Sequence, residues 1–284
     1  MRARMVLGAV GIALACSTRA NEPALTVTTG GDTVSYAPAA LLALPTATTV
    51  KIPGDVAYGH EMTFHAVPVA AVLSGVRTED TIRFVTRDGF VASLPAAALL
   101  AVGAGAVAYL AIESTDAPWP PLKAGDAATA GPFYLVWQRP ERGAIVSEQW
   151  PYQILRIEAV APLAKRYPML APASTLSARD PARRGFEVYV KNCSVCHTMN
   201  LGGDATVGPD LNVPYSPTDY MRQDYLRRLI RDPQSLRKWS NARMPAFGPN
   251  VISDRELTDL MTYLRHMADR RVAAGATSAT GAAK

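Results

Sequence analysis

The pattern of hydrophobic and polar positions changes character once along the chain. Between residues 22 and 160, apolar residues alternate with polar ones or gather in short runs, at 25–29, 49–52, 81–85, 90–94, 107–112, 133–137 and 153–157. Segments this short, rich in β-branched and aromatic side chains and bounded by Gly, Pro or Asp, predict strands. Asp88-Gly89 between two of them predicts a hairpin. Short helices are expected at 38–44 and 68–73. From Asp180 the period lengthens. Leu257, Leu260, Met261 and Leu264 recur at i, i+3, i+4 and i+7, which predicts a helix over 254–269. Ser253 is its expected N-cap, and Glu256 completes a capping box. Residues 183–192 form a second amphipathic stretch. Residues 161–179, with Pro162, Pro168 and Pro172, read as a linker, and the small, polar residues 271–284 as a disordered tail. The expected fold class is α+β with two domains, a β-rich one at 22–160 and an all-α one at 180–270.

Charge sharpens this division. The 284 residues carry a formal charge of +5, yet residues 22–160 hold eight Lys and Arg against thirteen Asp and Glu. Residues 180–270 hold thirteen against eleven. Neither domain is basic enough for a nucleic-acid partner. An acidic domain is tethered to a mildly basic one.

Residues 1–20 read as an export signal. Arg2 and Arg4 precede an apolar run over 5–15 that is too short to span a bilayer. Two cleavage readings compete. Cys16 is the lipid-modified first residue of a lipoprotein, anchored to a bacterial membrane, although Ala13 stands where such signals usually carry Leu. Alternatively, a secretory cut follows Ala15 or Ala20. Both predict a periplasmic location, and no later segment has the length and apolarity of a membrane helix.

The strongest chemical signal is Cys193-Ser194-Val195-Cys196-His197. Two thiols at this spacing can add to the two vinyl groups on one porphyrin edge, while the adjacent imidazole reaches the iron. The expected cofactor is one covalently attached haem c. A redox dithiol would need a βαβ setting, and the flanks are helical. A zinc site would need more ligands, and after this motif only His266 remains.

With these flanks, residues 180–270 resemble a class I c-type cytochrome domain. The resemblance rests on Gly185 and Tyr189 ahead of the motif, on Gly208-Pro209-Asp210-Leu211-Asn212 after it, and on Met244-Pro245-Ala246-Phe247. It implies that the last helix crosses the first closely at Gly185. It also implies that the Pro209 carbonyl accepts a hydrogen bond from His197 and fixes the ring. The sixth iron ligand it implies is Met244, with Met199, Met261, Met267 and His266 as competitors. Arg222, Arg227, Arg228, Arg231, Arg237, Lys238 and Arg243 surround that loop, partly offset by Asp219, Asp224 and Asp232. They read either as a solvated face or as a docking rim for an acidic partner or for the chain's own acidic domain.

Residues 22–160 are similar, more diffusely, to the molybdopterin-binding fold of the sulfite-oxidase-like family. The similarity runs through Thr63-Phe64-His65-Ala66-Val67-Pro68-Val69, Arg87-Asp88-Gly89-Phe90, Tyr109-Leu110-Ala111 and the stretch from Gly131 to Trp137. Those enzymes bind molybdenum through a Cys thiolate, and 22–160 contain no Cys. The expectation is a truncated relative without molybdenum. His60, Glu61 and His65 are weak candidates for another metal, and Pro118-Trp119-Pro120-Pro121 reads as a rigid loop.

Taken together, these features predict an electron carrier serving redox partner proteins, such as a molybdoenzyme or a terminal oxidase. The competing classes are a haem subunit of an oxidoreductase whose N-terminal domain binds substrate or cofactor, and a haem-based gas sensor.

Overall fold

The computed structural model describes residues 23–143, 145–238 and 243–273. The predicted export signal, Cys16 and the tail from residue 274 lie outside the described residues. The chain forms two domains, β-rich then helical.

Among the described residues, nine strands build the first domain: β1 (Leu25–Thr29), β2 (Asp32–Tyr36), β3 (Thr48–Ile52), β4 (Met62–Pro68), β5 (Thr81–Thr86), β6 (Val91–Pro95), β7 (Val107–Ile112), β8 (Phe133–Gln138) and β9 (Ile154–Val160). They form two sheets, ordered β2-β1-β9-β5-β6 and β3-β4-β7-β8. Only the β1–β9 pair is parallel. Period-2 alternation sends Leu25 and Val27 of β1, and Ile82 and Phe84 of β5, into a core shared with Phe64, Tyr134 and Trp137 of the other sheet. The continuous run in β8 is buried along Phe133–Trp137 because residues 149–153 cover its free edge. Leu135 N donates to the Pro151 carbonyl and Trp137 Nε1 to that of Gln149.

Two strands were missing from the expectations. β2 is exposed along most of its length, so no buried alternation announces it. Its signal is Gly30-Gly31, both at positive φ, the two-residue hairpin chemistry. β4 alternates only weakly, because Val67 is buried next to Ala66.

The Asp88-Gly89 hairpin forms as predicted. Gly89 has φ +86°, and Asp88 accepts hydrogen bonds from Thr86 Oγ1 at 2.7 Å and Phe90 N at 3.2 Å. Small helices α1 (Pro38–Leu42) and α2 (Ala96–Leu99), with 3₁₀ turns at Val69–Val72, Pro140–Gly143 and Ser147–Gln149, connect the strands.

The segment read as a linker is built into the structure. It holds α3 (Leu163–Arg166) and a 3₁₀ turn at Pro168–Leu170. Leu163 and Leu170 are buried in the second core. Tyr263 Oη donates to the Leu170 carbonyl at 2.8 Å, and Ala173 N donates to His266 Nε2 at 3.0 Å. Pro162 stands at the N-cap of α3, and Pro168 opens the 3₁₀ turn. The first residues of the predicted tail are bound into the structure: Arg271 Nε donates to the Asn212 carbonyl at 2.7 Å, and Val272 N to Asn200 at 3.2 Å.

The helical domain comprises α4 (Pro181–Val188), α5 (Pro217–Tyr220), α6 (Gln223–Arg231), α7 (Pro233–Leu236) and α8 (Asp254–Ala268). Asp180 caps α4, and the Ser253/Glu256 box caps α8 as expected. α4 and α8 cross at Gly185, where a Cβ would run into the Asp259 carbonyl oxygen and stand 2.7 Å from Tyr263 Cβ. Arg184 holds Asp259 through two hydrogen bonds of 2.7 and 2.8 Å. Tyr263 packs on Tyr189 and Phe186, with ring centroids 5.4 and 5.6 Å apart.

One charged cluster joins the domains and the segment between them. Asp204 accepts from Arg83 of β5 at 2.6 Å, from Arg166 of α3 at 2.5 and 2.6 Å, and from Tyr167 Oη at 3.0 Å. Arg83 also pairs with Glu158 of β9. Arg83 reaches this cluster because it faces away from Ile82 and Phe84. The outer face of the first sheet therefore packs on the helical domain.

Candidate functional site

α4 leads into a π turn over Tyr189–Cys193. Ser194 N donates to the Tyr189 carbonyl at 2.9 Å, and Cys196 N and His197 N both return to the Cys193 carbonyl, at 3.1 and 2.9 Å. The motif is thereby wound into one tight turn that brings Cys193, Cys196 and His197 together. Tyr189 Oη donates to the His197 carbonyl at 3.0 Å, tying the first helix to the end of the motif.

The imidazole is held in one orientation. Its Nδ1 lies 2.8 Å from the Pro209 carbonyl. A carbonyl only accepts, so Nδ1 carries the hydrogen and the Nε2 lone pair is left for a metal. Gly208 lies against the ring: a Cβ there would be 2.5 Å from Cε1 and 2.6 Å from Nδ1. Gly208 N donates to the Cys196 carbonyl at 2.7 Å, which pins this stretch to the motif. Burial pushes the His197 pKa down, opposed by the Pro209 bond and by Asp210. The ring is thereby favoured in its neutral, metal-binding form.

Both motif cysteines are free thiols. Burial pushes Cys193 up to about 12 and Cys196 up to about 11, reinforced by Glu148 at both and by Asp88 at Cys196. A disulfide-exchange dithiol works through a thiolate of depressed pKa, the reverse of this setting. No group of three or more His, Cys, Asp or Glu among the described residues could hold a metal ion.

Met244 is half-buried and packs against the second core. Residues 239–242, just before it, lie outside the described residues. Its loop is anchored downstream, where buried Phe247 donates its N–H to the Ile230 carbonyl at 3.2 Å. Arg231 reaches the Phe247 and Ile252 carbonyls and pairs with Asp254 at 2.7 Å. Its role in holding the Met244 loop was not readable from the sequence, where it stood among other arginines of α6. Replacing it by Ala should loosen the loop. The expected result is faster amide exchange at Phe247, whose N–H is bonded to the Ile230 carbonyl, in a protein that is otherwise folded; an exchange rate like that of the wild type would show that the loop stands without Arg231.

Met199, Met261 and Met267 are buried in the second core, and His266 Nε2 accepts from Ala173. His60 Nδ1 donates to the Glu61 carbonyl at 2.9 Å, His65 Nδ1 lies 3.4 Å from Thr49 Oγ1, and Glu61 pairs with Lys51. The first domain does not bring these three together as a metal site.

The basic rim is partly consumed. Arg222 pairs with Asp224, Arg227 bonds Thr258, Asp219 holds Arg271, and Asp232 caps α7. Arg243, next to Met244, approaches Asp88 of the first domain at 3.7 Å. That domain also touches the motif directly. Val91 N of β6 donates to the Val195 carbonyl at 3.1 Å, and Gly89 abuts Thr206.

Residues 180–264 match the family described as cytochrome C oxidase, cbb3-type, subunit III. The match supports reading this stretch as a c-type cytochrome segment, for which haem c is the implied cofactor. No curated protein matches the chain.

Proposed function

We propose that the chain is an exported monohaem c-type cytochrome that passes single electrons between redox proteins. One observation carries this reading: an imidazole fixed through Nδ1 by Pro209 and backed by Gly208 stands beside two unpaired thiols in a single turn. These residues suit haem c. Cys193 and Cys196 would hold it through thioethers, His197 through Nε2 and Met244 through its sulfur. Haem c, when bound, supplies an iron that gains and loses one electron. Pro209 keeps the His197 tautomer from changing, so the ligand does not reorganise when the iron changes charge. A thioether at the sixth position favours the ferrous state relative to a second imidazole.

The test is direct. Protein exported through a haem-ligating maturation pathway should be coloured, with the mass of the mature polypeptide plus one haem. A colourless product at the bare mass overturns the proposal. Met244→Ala should lose the methionine–iron band of the oxidised protein and lower the reduction potential. An unchanged low-spin spectrum would assign the sixth position to another residue.

The first domain is read as a docking module, a truncated relative of molybdopterin-binding folds without its own metal. Its seating on the motif through Val91 and Val195 also favours a second reading, an oxidoreductase subunit whose N-terminal domain feeds electrons directly to the haem. Metal analysis separates the two: iron alone supports docking, and a second metal at one equivalent supports the enzyme. Cleavage site and lipid on Cys16 are decided by the mass of the mature N-terminus.

A further inference from the structure

The first domain places one acidic side chain deep in its contact with the motif. Glu148, on the Ser147–Gln149 3₁₀ turn, is only 7% exposed. It lines a half-open cleft of about 400 Å³ between the domains, walled by Leu94, Pro95, Leu163, Val190 and Val195. Val195, which stands between the two motif cysteines, lines this mostly apolar cleft with Glu148, and the charge of Glu148 is felt at both cysteines.

We propose that Glu148, supplied by the N-terminal domain, couples arrival of an electron at the haem to uptake of a proton. This rests on the reading of residues 180–264 as a haem-binding domain. The step balances simply. When the iron gains one electron it loses one unit of positive charge, and the Glu148 carboxylate loses an attractive partner. The carboxylate then takes up one proton from the bulk solvent (hydronium or buffer acid), which reaches it through the half-open cleft, and becomes the neutral acid. Oxidation reverses both changes.

The surroundings of Glu148 suit this role. Burial raises its pKa above the ordinary carboxylate range, opposed by a backbone hydrogen bond, the Ser147 hydroxyl and the charge of Lys191. Ser147 Oγ donates to Oε2 at 3.0 Å. The other titratable or charged groups facing it are few. Lys191 and Glu187 line the same cleft from the helical domain. Asp88 acts from the hairpin on Cys196, and the two cysteines cease to titrate once they are thioethers. Burial raises the cost of the charged form of this carboxyl, so a change of one unit of charge beside it shifts its protonation equilibrium.

The experiment is a spectroelectrochemical titration of the holoprotein across pH. The wild type should show a midpoint potential that falls as pH rises through a window above the usual carboxylate range and is flat on either side. One proton per electron sets the limit at about a tenfold change in the oxidised-to-reduced ratio per pH unit. Glu148→Gln should remove that sloping window and hold the potential near its low-pH value. Ser147→Ala, a milder change, should move the window to higher pH, because the carboxylate loses a donor. A Glu148→Gln curve that superimposes on the wild type, or a window unmoved in Ser147→Ala, overturns the proposal. A colourless wild type would fail the haem reading itself, whereas a coloured wild type whose potential ignores pH would fail this coupling alone.

Discussion

Gly185→Val should leave the helical domain unable to fold around its cofactor. At this position α4 lies against α8 with no space between them. A Cβ would collide with the Asp259 carbonyl oxygen and press on Tyr263 Cβ. The obstacle is backbone, which cannot swing aside like the end of a flexible side chain. Ordinary overpacking costs about 1–3 kcal/mol, and a collision with main chain in a helix crossing belongs at or beyond the top of that range. Separating the helices would also pull Arg184 from Asp259 and Tyr263 from Tyr189, so the loss spreads through the core. Gly185→Val protein should be recovered in low yield, with a lowered melting temperature and little helical circular dichroism from this domain. Recovery at wild-type yield and melting temperature would refute the crossing geometry.

The second large effect concerns Asp204. Its carboxylate is almost fully enclosed and holds Arg83, Arg166 and Tyr167 at once. Removing one member of a buried charge cluster typically costs about 3–5 kcal/mol, because the remaining charges are left unpaired. Arg83 keeps Glu158, so Asp204→Ala should cost roughly 3 kcal/mol, felt as loss of docking between the domains. Burial alone would raise the Asp204 pKa, but Arg166, Arg83 and Tyr167 outweigh it and hold the group below its ordinary value. A carboxylate depressed in the folded state stabilises above its unfolded pKa of about 3.9, and that contribution disappears as pH falls through the folded value. The stability difference between wild type and Asp204→Ala should therefore be constant from neutral pH to about pH 5 and shrink below about pH 4. Thermal melts across that range measure it. A difference that persists undiminished in acid would show that Asp204 acts by packing rather than charge.

The readable parts of this protein were those where one residue type answers one local demand. The Ser253/Glu256 capping box, the Asp88-Gly89 hairpin and the strand at Val107–Ile112 were legible because the chemistry lies within a few residues. The Cys193–His197 motif is likewise local, and the bond from its His to the Pro209 carbonyl was legible through the position of Pro209 after it. Features that depend on distant parts of the chain were hidden. β2 buries nothing and gives no alternation. The prolines of 161–179 look the same in a free tether as in a turn packed on Tyr263. Arg231 and Arg243 belong to one basic stretch, yet one holds a loop from within and the other meets a carboxylate more than 150 positions earlier. Asp204 and Glu148 sit among unremarkable neighbours in sequence, and only the docking of a sheet face on a helical domain gives them their surroundings.

The packed segment after β9 has a practical consequence for any attempt to obtain the cytochrome module alone. Truncation at Asp180, where the helical periodicity begins, would discard Leu163 and Leu170 and strip Tyr263 of its acceptor. A soluble fragment should instead start near Ala161, with polar replacements for the surface that excision of the sheet lays bare.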